Sequence, residues 1–121
     1  MNAPDPWPLE LRVNAPRDEL AVRFDNGEHY LLAAEYLRVE SPSAEVQGHS
    51  PRERRFVPGK QSVKIAQIEP VGHYAARIIF DDGHDSGLYT WSYLRELGRD
   101  RQSRWDAYLR GLAAEGLSRE Q

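Results

Sequence analysis

Residues 80–95, FDDGHDSGLYTWSYLR, set His84 among Asp81, Asp82 and Asp85 and follow them with Trp91 and two tyrosines. An imidazole between carboxylates can hold a divalent cation or move a proton. A second stretch, SPRERRFVPGK, clusters Arg52, Arg54 and Arg55 ahead of Lys60 and Lys64. Guanidinium forks suit carboxylate and phosphate partners, and a solvated loop with Glu53 as partial counter-charge is the plainer reading. Ser41, Ser43, Ser50, Ser86 and Ser92 lack the strained elbow that presents a nucleophile, and PGKQSV lacks the helix start of a phosphate loop. The residues alone therefore predict a chain that is not an enzyme.

Composition narrows the chemistry further. The chain has 121 residues and no cysteine, which removes disulfides, thiolate nucleophiles and thiolate-held zinc or iron–sulfur clusters. Its length suits a single domain over 1–121, with a core from about residue 8 to 117. The net charge of −3 makes nucleic acid an unlikely partner, because dedicated binders carry a basic excess. No apolar run is long enough for a membrane span and no signal-peptide core opens the chain, so the expected location is cytoplasmic.

The elements that must carry these residues follow from periodicity. MNAPDPWP should be an irregular lead-in. LELRV and ELAVRF alternate apolar and polar positions and predict strands. Asn26-Gly27 predicts a two-residue hairpin turn returning through HYLL, and AAEYLR a helical turn. From Glu40 to Gln61 the chain is rich in proline and serine without a period, a long loop of the kind that is functional or mobile. SVKIAQIEPVG predicts a strand with a bulge near Ile68, and GHYAARIIF, apolar on both faces, a central strand. TWSYLRELG predicts a helix capped by Thr90 and stopped at Gly98. SRWDAYLRGLAAEG places Trp105, Tyr108, Leu109 and Leu112 on one helical stripe, with Gly111 marking close packing. The fold class is α+β: a small, mainly antiparallel sheet of hairpins with short helices and a C-terminal amphipathic helix.

A repeat accounts for part of the acidic cluster. FDNGEHYLLAAEYLR (24–38) and FDDGHDSGLYTWSYLR (80–95) both read Phe-Asp-[Asn/Asp]-Gly and end in Tyr-Leu-Arg, with one extra residue in the second. Asp82-Gly83 is turn chemistry, as Asn26-Gly27 is. His84, Asp85 and Trp91 are left over. His84 reads either as a ligand or as a structural imidazole bonded to a carbonyl or to Asp85, and Trp91, on a helix face, reads as core.

Three segments together carry a resemblance: LRVESPSAEVQGHS (37–50), IEPVGHYAARIIFDDGHDSGLYTWSYL (68–94) and FDNGEHYLLAAEYLR. The chain resembles, from about Pro8 to Gly116, the family named for the N-terminal domain of gamma-butyrobetaine hydroxylase, long catalogued as a domain of unknown function. In that hydroxylase the domain is not catalytic; a separate jelly-roll domain carries iron and 2-oxoglutarate, and no counterpart is expected here. The resemblance further implies a structural zinc site of three cysteines and one histidine. Ser41, Ser43 and Val46 stand at the thiolate positions, and His84 matches the histidine. Hydroxyl and isopropyl groups do not replace thiolates at zinc, so no cofactor or metal is expected. The weak remaining metal candidates are His84 and His49.

Family members also occur fused to P-loop ATPases resembling iron–sulfur carriers, and as free-standing proteins. The expectation is a non-catalytic interaction domain with a protein partner, an adaptor for an oxygenase or a cluster-assembly protein. Its expected contact surface combines His84, Asp85 and His49 with Arg52, Arg54 and Arg55. The alternative is a small-ligand or metal-binding protein using the His84/His49 region.

Overall fold

The structure, a computed structural model, describes residues 5–120. The first four residues of the expected lead-in lie outside them. The order of elements is β1 (Pro8–Val13), β2 (Glu19–Phe24), β3 (His29–Ala33), α1 (Ala34–Val39), α2 (Ala44–Gln47), a 3-10 turn (Pro51–Glu53), β4 (Ile65–Val71), β5 (Ala75–Phe80), β6 (Leu88–Thr90), α3 (Trp91–Arg99) and α4 (Arg101–Ala114). Two antiparallel three-stranded sheets, β1-β2-β3 and β4-β5-β6, each lead directly into a helix. The α+β class is the one that alternation and turn signals predict.

Alternation decides the faces. Leu20, Val22 and Phe24 of β2 and Ile78 and Phe80 of β5 are buried, and with Leu32, Leu37, Ile65, Leu94 and Leu97 they form one core. Burying each such side chain contributes about 1.5–3 kcal/mol. β5 is central, as its two apolar faces predict. The bulge in β4 falls between Ile65 and Gln67 in the pairing with β5, slightly before the expected place. On α4, Tyr108 and Leu112 pack on Val39 with Phe56, Val57 and Trp105, while Leu109 remains partly exposed.

Two glycines report packing rather than chain direction. A Cβ on Gly111 would sit 2.4 Å from the Phe56 ring, the close approach its place inside a helix suggests. Gly98 does not stop α3, which runs on to Arg99; a Cβ there would sit 2.3 Å from the Tyr30 ring. Thr90 caps α3 as expected, accepting from the Tyr93 N–H at 3.1 Å.

The sequence repeat is a structural repeat, and its two copies interlock. Tyr36 donates to the Leu97 carbonyl (2.7 Å), and its counterpart Tyr93 donates to the Glu40 carbonyl (2.5 Å). Arg38 pairs with Asp82 in the second turn (2.7 Å), and Arg95 with Glu28 in the first (2.8 Å). Asp25 exchanges two bonds with the Trp7 backbone, and Asp81 does the same with Lys64. The helices are thus tied across the halves through equivalent tyrosine bonds, and each helix arginine reaches the other half's turn, at non-equivalent residues.

Both turns differ from the two-residue expectation. Gly27 and Gly83 have φ of +90°, but neither Asn26 nor Asp82 has positive φ, which the two-residue turn requires. The Gly27 N–H donates to Phe24 O (3.2 Å) and the Phe24 N–H to Glu28 O (2.9 Å); the bonds of Phe80, Gly83 and His84 repeat this. These are three-residue loops, a type I turn followed by a left-handed glycine. The side chains of Asn26 and Asp82 accept from the backbone N–H two residues on, at 2.9 and 3.0 Å. That bond favours the type I geometry at these residues.

Candidate functional site

Glu40 to Gln61 is not a featureless loop. Ser43 caps the short helix α2 by accepting from the Glu45 N–H (3.2 Å), and the Arg55 N–H donates to Val46 O (2.8 Å), folding the segment back on itself. The result lays Ser41, Ser43 and Glu45 over the second hairpin, against His84 and Ser86.

His84 lies at the centre and is buried, 7% exposed. Its Nε2 is 2.8 Å from Ser41 Oγ and its Nδ1 is 3.1 Å from Glu45 Oε2. A carboxylate only accepts, so Nδ1 carries the proton and Nε2 accepts from the Ser41 hydroxyl. Ser41 Oγ in turn accepts from the Ser43 N–H at 3.3 Å, and Ser43 Oγ bonds Ser86 Oγ at 2.8 Å. Burial is the largest influence on the imidazole and lowers its pKa; Arg38 acts the same way, against the opposing pull of Glu45 and Asp82. The ring is therefore neutral at pH 7.

Serine, histidine and glutamate in this order have the connectivity of a hydrolytic triad. Access distinguishes the two cases. Ser41 is fully buried, and Gly87 approaches so closely that a Cβ there would lie 2.5 Å from Ser41 Oγ. Four recesses of 290 to 400 Å³ among the described residues are lined by other side chains. Ser41 and His84 are buried while the Glu45 carboxylate lies at the surface, and the relay ties the connecting segment to the hairpin.

Below it, Asp82 receives both Arg38 and Lys60, each at 2.7 Å. Burial alone would raise the Asp82 pKa, but Lys60, the His84 N–H and Arg38 outweigh it and hold the carboxyl at about 2. Arg38 Nη1 is buried without a protein partner, a place where a bound water is the ordinary answer.

The residues present do not fit a zinc ion. Ser41 and Ser43 spend their hydroxyls on His84 and Ser86, and Val46 is buried apolar surface. Among the described residues no three His, Cys, Asp or Glu side chains gather as a metal would need. His49 is exposed beyond α2; its N–H donates to Glu53 Oε2 (2.5 Å), and the His84 ring nitrogens face Ser41 and Glu45 instead.

The other expected contact residues are dispersed. Asp85 is exposed and lies 3.9 Å from Arg77. Arg54 turns inward to the buried Glu40, which Arg104 also meets at 2.8 Å, and it covers the Phe56 ring. Lys60 is spent on Asp82, leaving Arg52 and Arg55 exposed. Glu45 carried no signal in the sequence, and Ser41 carried one only through the resemblance. Their bonds to His84 span 39 and 43 residues.

No helix among the described residues is long and apolar enough to cross a membrane. The chain is similar to two proteins known by NMR solution structures. One is 44% identical with a TM-score of 0.80, covering 95% of this chain and 90% of that one; the other is 43% identical with a TM-score of 0.82, covering 95% and 86%. A crystal structure of a protein of unknown function in the DUF971 family, from Acidithiobacillus ferrooxidans ATCC 23270, is 38% identical with a TM-score of 0.63, covering 75% of this chain and 91% of that one. No curated protein matches. The family model described as gamma-butyrobetaine hydroxylase-like, N-terminal, matches residues 11–95, and the chain belongs to that family.

Proposed function

We propose that this chain is a non-catalytic docking domain, an adaptor for an oxygenase or an iron–sulfur assembly protein, working in the cytoplasm. One observation carries the reading: in the most chemically equipped constellation, Ser41–His84–Glu45, the hydroxyl and the imidazole are buried and spent on internal hydrogen bonds, and only the Glu45 carboxylate reaches solvent. A relay whose serine and histidine are buried stabilises a surface rather than turning over a substrate. The exposed aromatic and apolar residues, among them Trp7, Leu9, Tyr74 and Leu88, are what such a surface has to offer a partner.

The test is affinity capture from the native host followed by cross-linking of the purified pair. The reading expects an oxygenase or a cluster-assembly protein among the captured chains, and it expects capture by folded His84→Ala to persist. Turnover of a small molecule by the purified chain alone, abolished by Ser41→Ala, would contradict it.

A further inference from the structure

Trp7, Tyr74 and Trp91 wall a recess of about 400 Å³ whose rim includes Asp5, His73 and Ser92. Trp7 and Tyr74 are exposed by 50% and 55%, a large apolar area for a small domain to leave in water. The backbone and one ring are held. The Trp7 backbone is clamped by Asp25 (3.0 and 2.8 Å), and the Trp91 indole N–H donates to the His73 carbonyl (2.8 Å). The two indoles meet edge to face, centroids 6.3 Å apart.

The repeat provides an internal control. Trp7 and Lys64 are counterparts, since each exchanges two bonds with the aspartate of its hairpin. Trp91 and Ala34 are counterparts too: the Trp91 N–H donates to Tyr74 O, and the Ala34 N–H to Asp18 O. The residues before these acceptors, His73 and Arg17, correspond in turn. At the Lys64 junction the fold therefore closes without aromatic rings. There the guanidinium of Arg17 donates to the carbonyls of Ile65 (2.7 Å) and Ala66 (2.6 Å). The Trp7 junction has aromatic faces and the Asp5 carboxylate instead; among the described residues no lysine or arginine lines it, and Asp5 also borders the adjoining recess with Arg95 and Arg99.

We infer that this recess binds the guanidinium of an arginine side chain presented by a protein partner. Arginine stacks flat on indole and phenol rings while its N–H groups meet a carboxylate, here that of Asp5. The inference deepens the docking reading and rests on it for the source of the arginine.

The experiment uses the purified full chain and needs no partner. Acetyl-Gly-Arg-Gly-amide is titrated while the indole N–H resonances of Trp7 and Trp91 are followed by NMR. The neutral citrulline peptide, of nearly the same shape, serves as comparison. The expected result is saturable shifts confined to the recess, with citrulline roughly tenfold weaker. The shifts should also be lost in Trp7→Ala and in Tyr74→Ala, two half-exposed positions. Shifts equal with citrulline, spread over the surface, or retained in both variants would overturn the inference. Failure of the docking reading would show separately, as failed capture with these shifts intact.

Discussion

Glu28 and His84 occupy the same place in two copies of one hairpin. Each accepts from the phenylalanine N–H across its turn (2.9 and 3.0 Å), and each N–H donates to the turn residue two positions back (2.9 and 3.0 Å). Glu28 reaches Arg95 in the other half, and that contact, followed by the Tyr30 hydroxyl, holds its pKa at about 2. His84 instead turns inward to Ser41 and Glu45. The same local frame thus supports an ion pair in one copy and a buried neutral imidazole in the other, and the second is tied to the segment between Glu40 and Gln61.

Breaking the relay should cost stability. His84→Ala removes two side-chain bonds and leaves the buried Ser41 hydroxyl proton without its acceptor, an expected loss of about 1–3 kcal/mol. Ser41→Ala should lose about 1 kcal/mol. Chemical denaturation of both single variants and the double variant should show losses well short of additive, because the residues share a bond. Full additivity would contradict the contact.

Stability should fall as the solution is acidified through the histidine range. The folded pKa of His84 lies below its ordinary 6.5, so the unfolded chain takes up the proton first. The stability is complete above 6.5 and is lost as pH drops towards the folded pKa. Asp82 adds a second loss, beginning near its ordinary 3.8 and continuing down to about 2. Denaturation midpoints measured across this range should show the upper slope in the wild type and not in His84→Gln.

Gly83 separates backbone from packing. Nothing lies within 4 Å of a Cβ placed there, so a substitution meets only the cost of φ +90°. Gly83→Val should destabilise by more than about 1 kcal/mol and Gly83→Asn by clearly less, since asparagine tolerates positive φ. Equal losses, measured by chemical denaturation, would contradict the turn geometry.

Protein purified without added metal should carry no stoichiometric zinc. The Ser41 and Ser43 hydroxyls are engaged within the protein, and Val46 offers no lone pair. Elemental analysis giving close to one zinc per chain, removable only with loss of fold, would refute this.

Strand alternation, the Thr90 cap and the repeat were legible because they are local. The loop length of the hairpins was not: Asn-Gly and Asp-Gly serve two- and three-residue turns alike, and the side-chain bonds of Asn26 and Asp82 favour the longer one. Gly98 looked like a helix stop because its reason is the Tyr30 ring, remote in the chain. Arg54 looked like a surface contact because the buried Glu40 that draws it inward had no local signature. Trp91 read as core, and it does pack there, but pairing with Trp7 across the repeat also makes it a wall.

The proton on the His84 ring tests the central claim most directly. Long-range nitrogen–proton NMR at pH 7 should find a neutral imidazole with the proton on Nδ1, facing Glu45, and Nε2 accepting from Ser41. It should find no change on adding zinc. A charged ring, the opposite tautomer, or a zinc-dependent shift at Nε2 would contradict a closed structural relay and return His84 to the role of ligand.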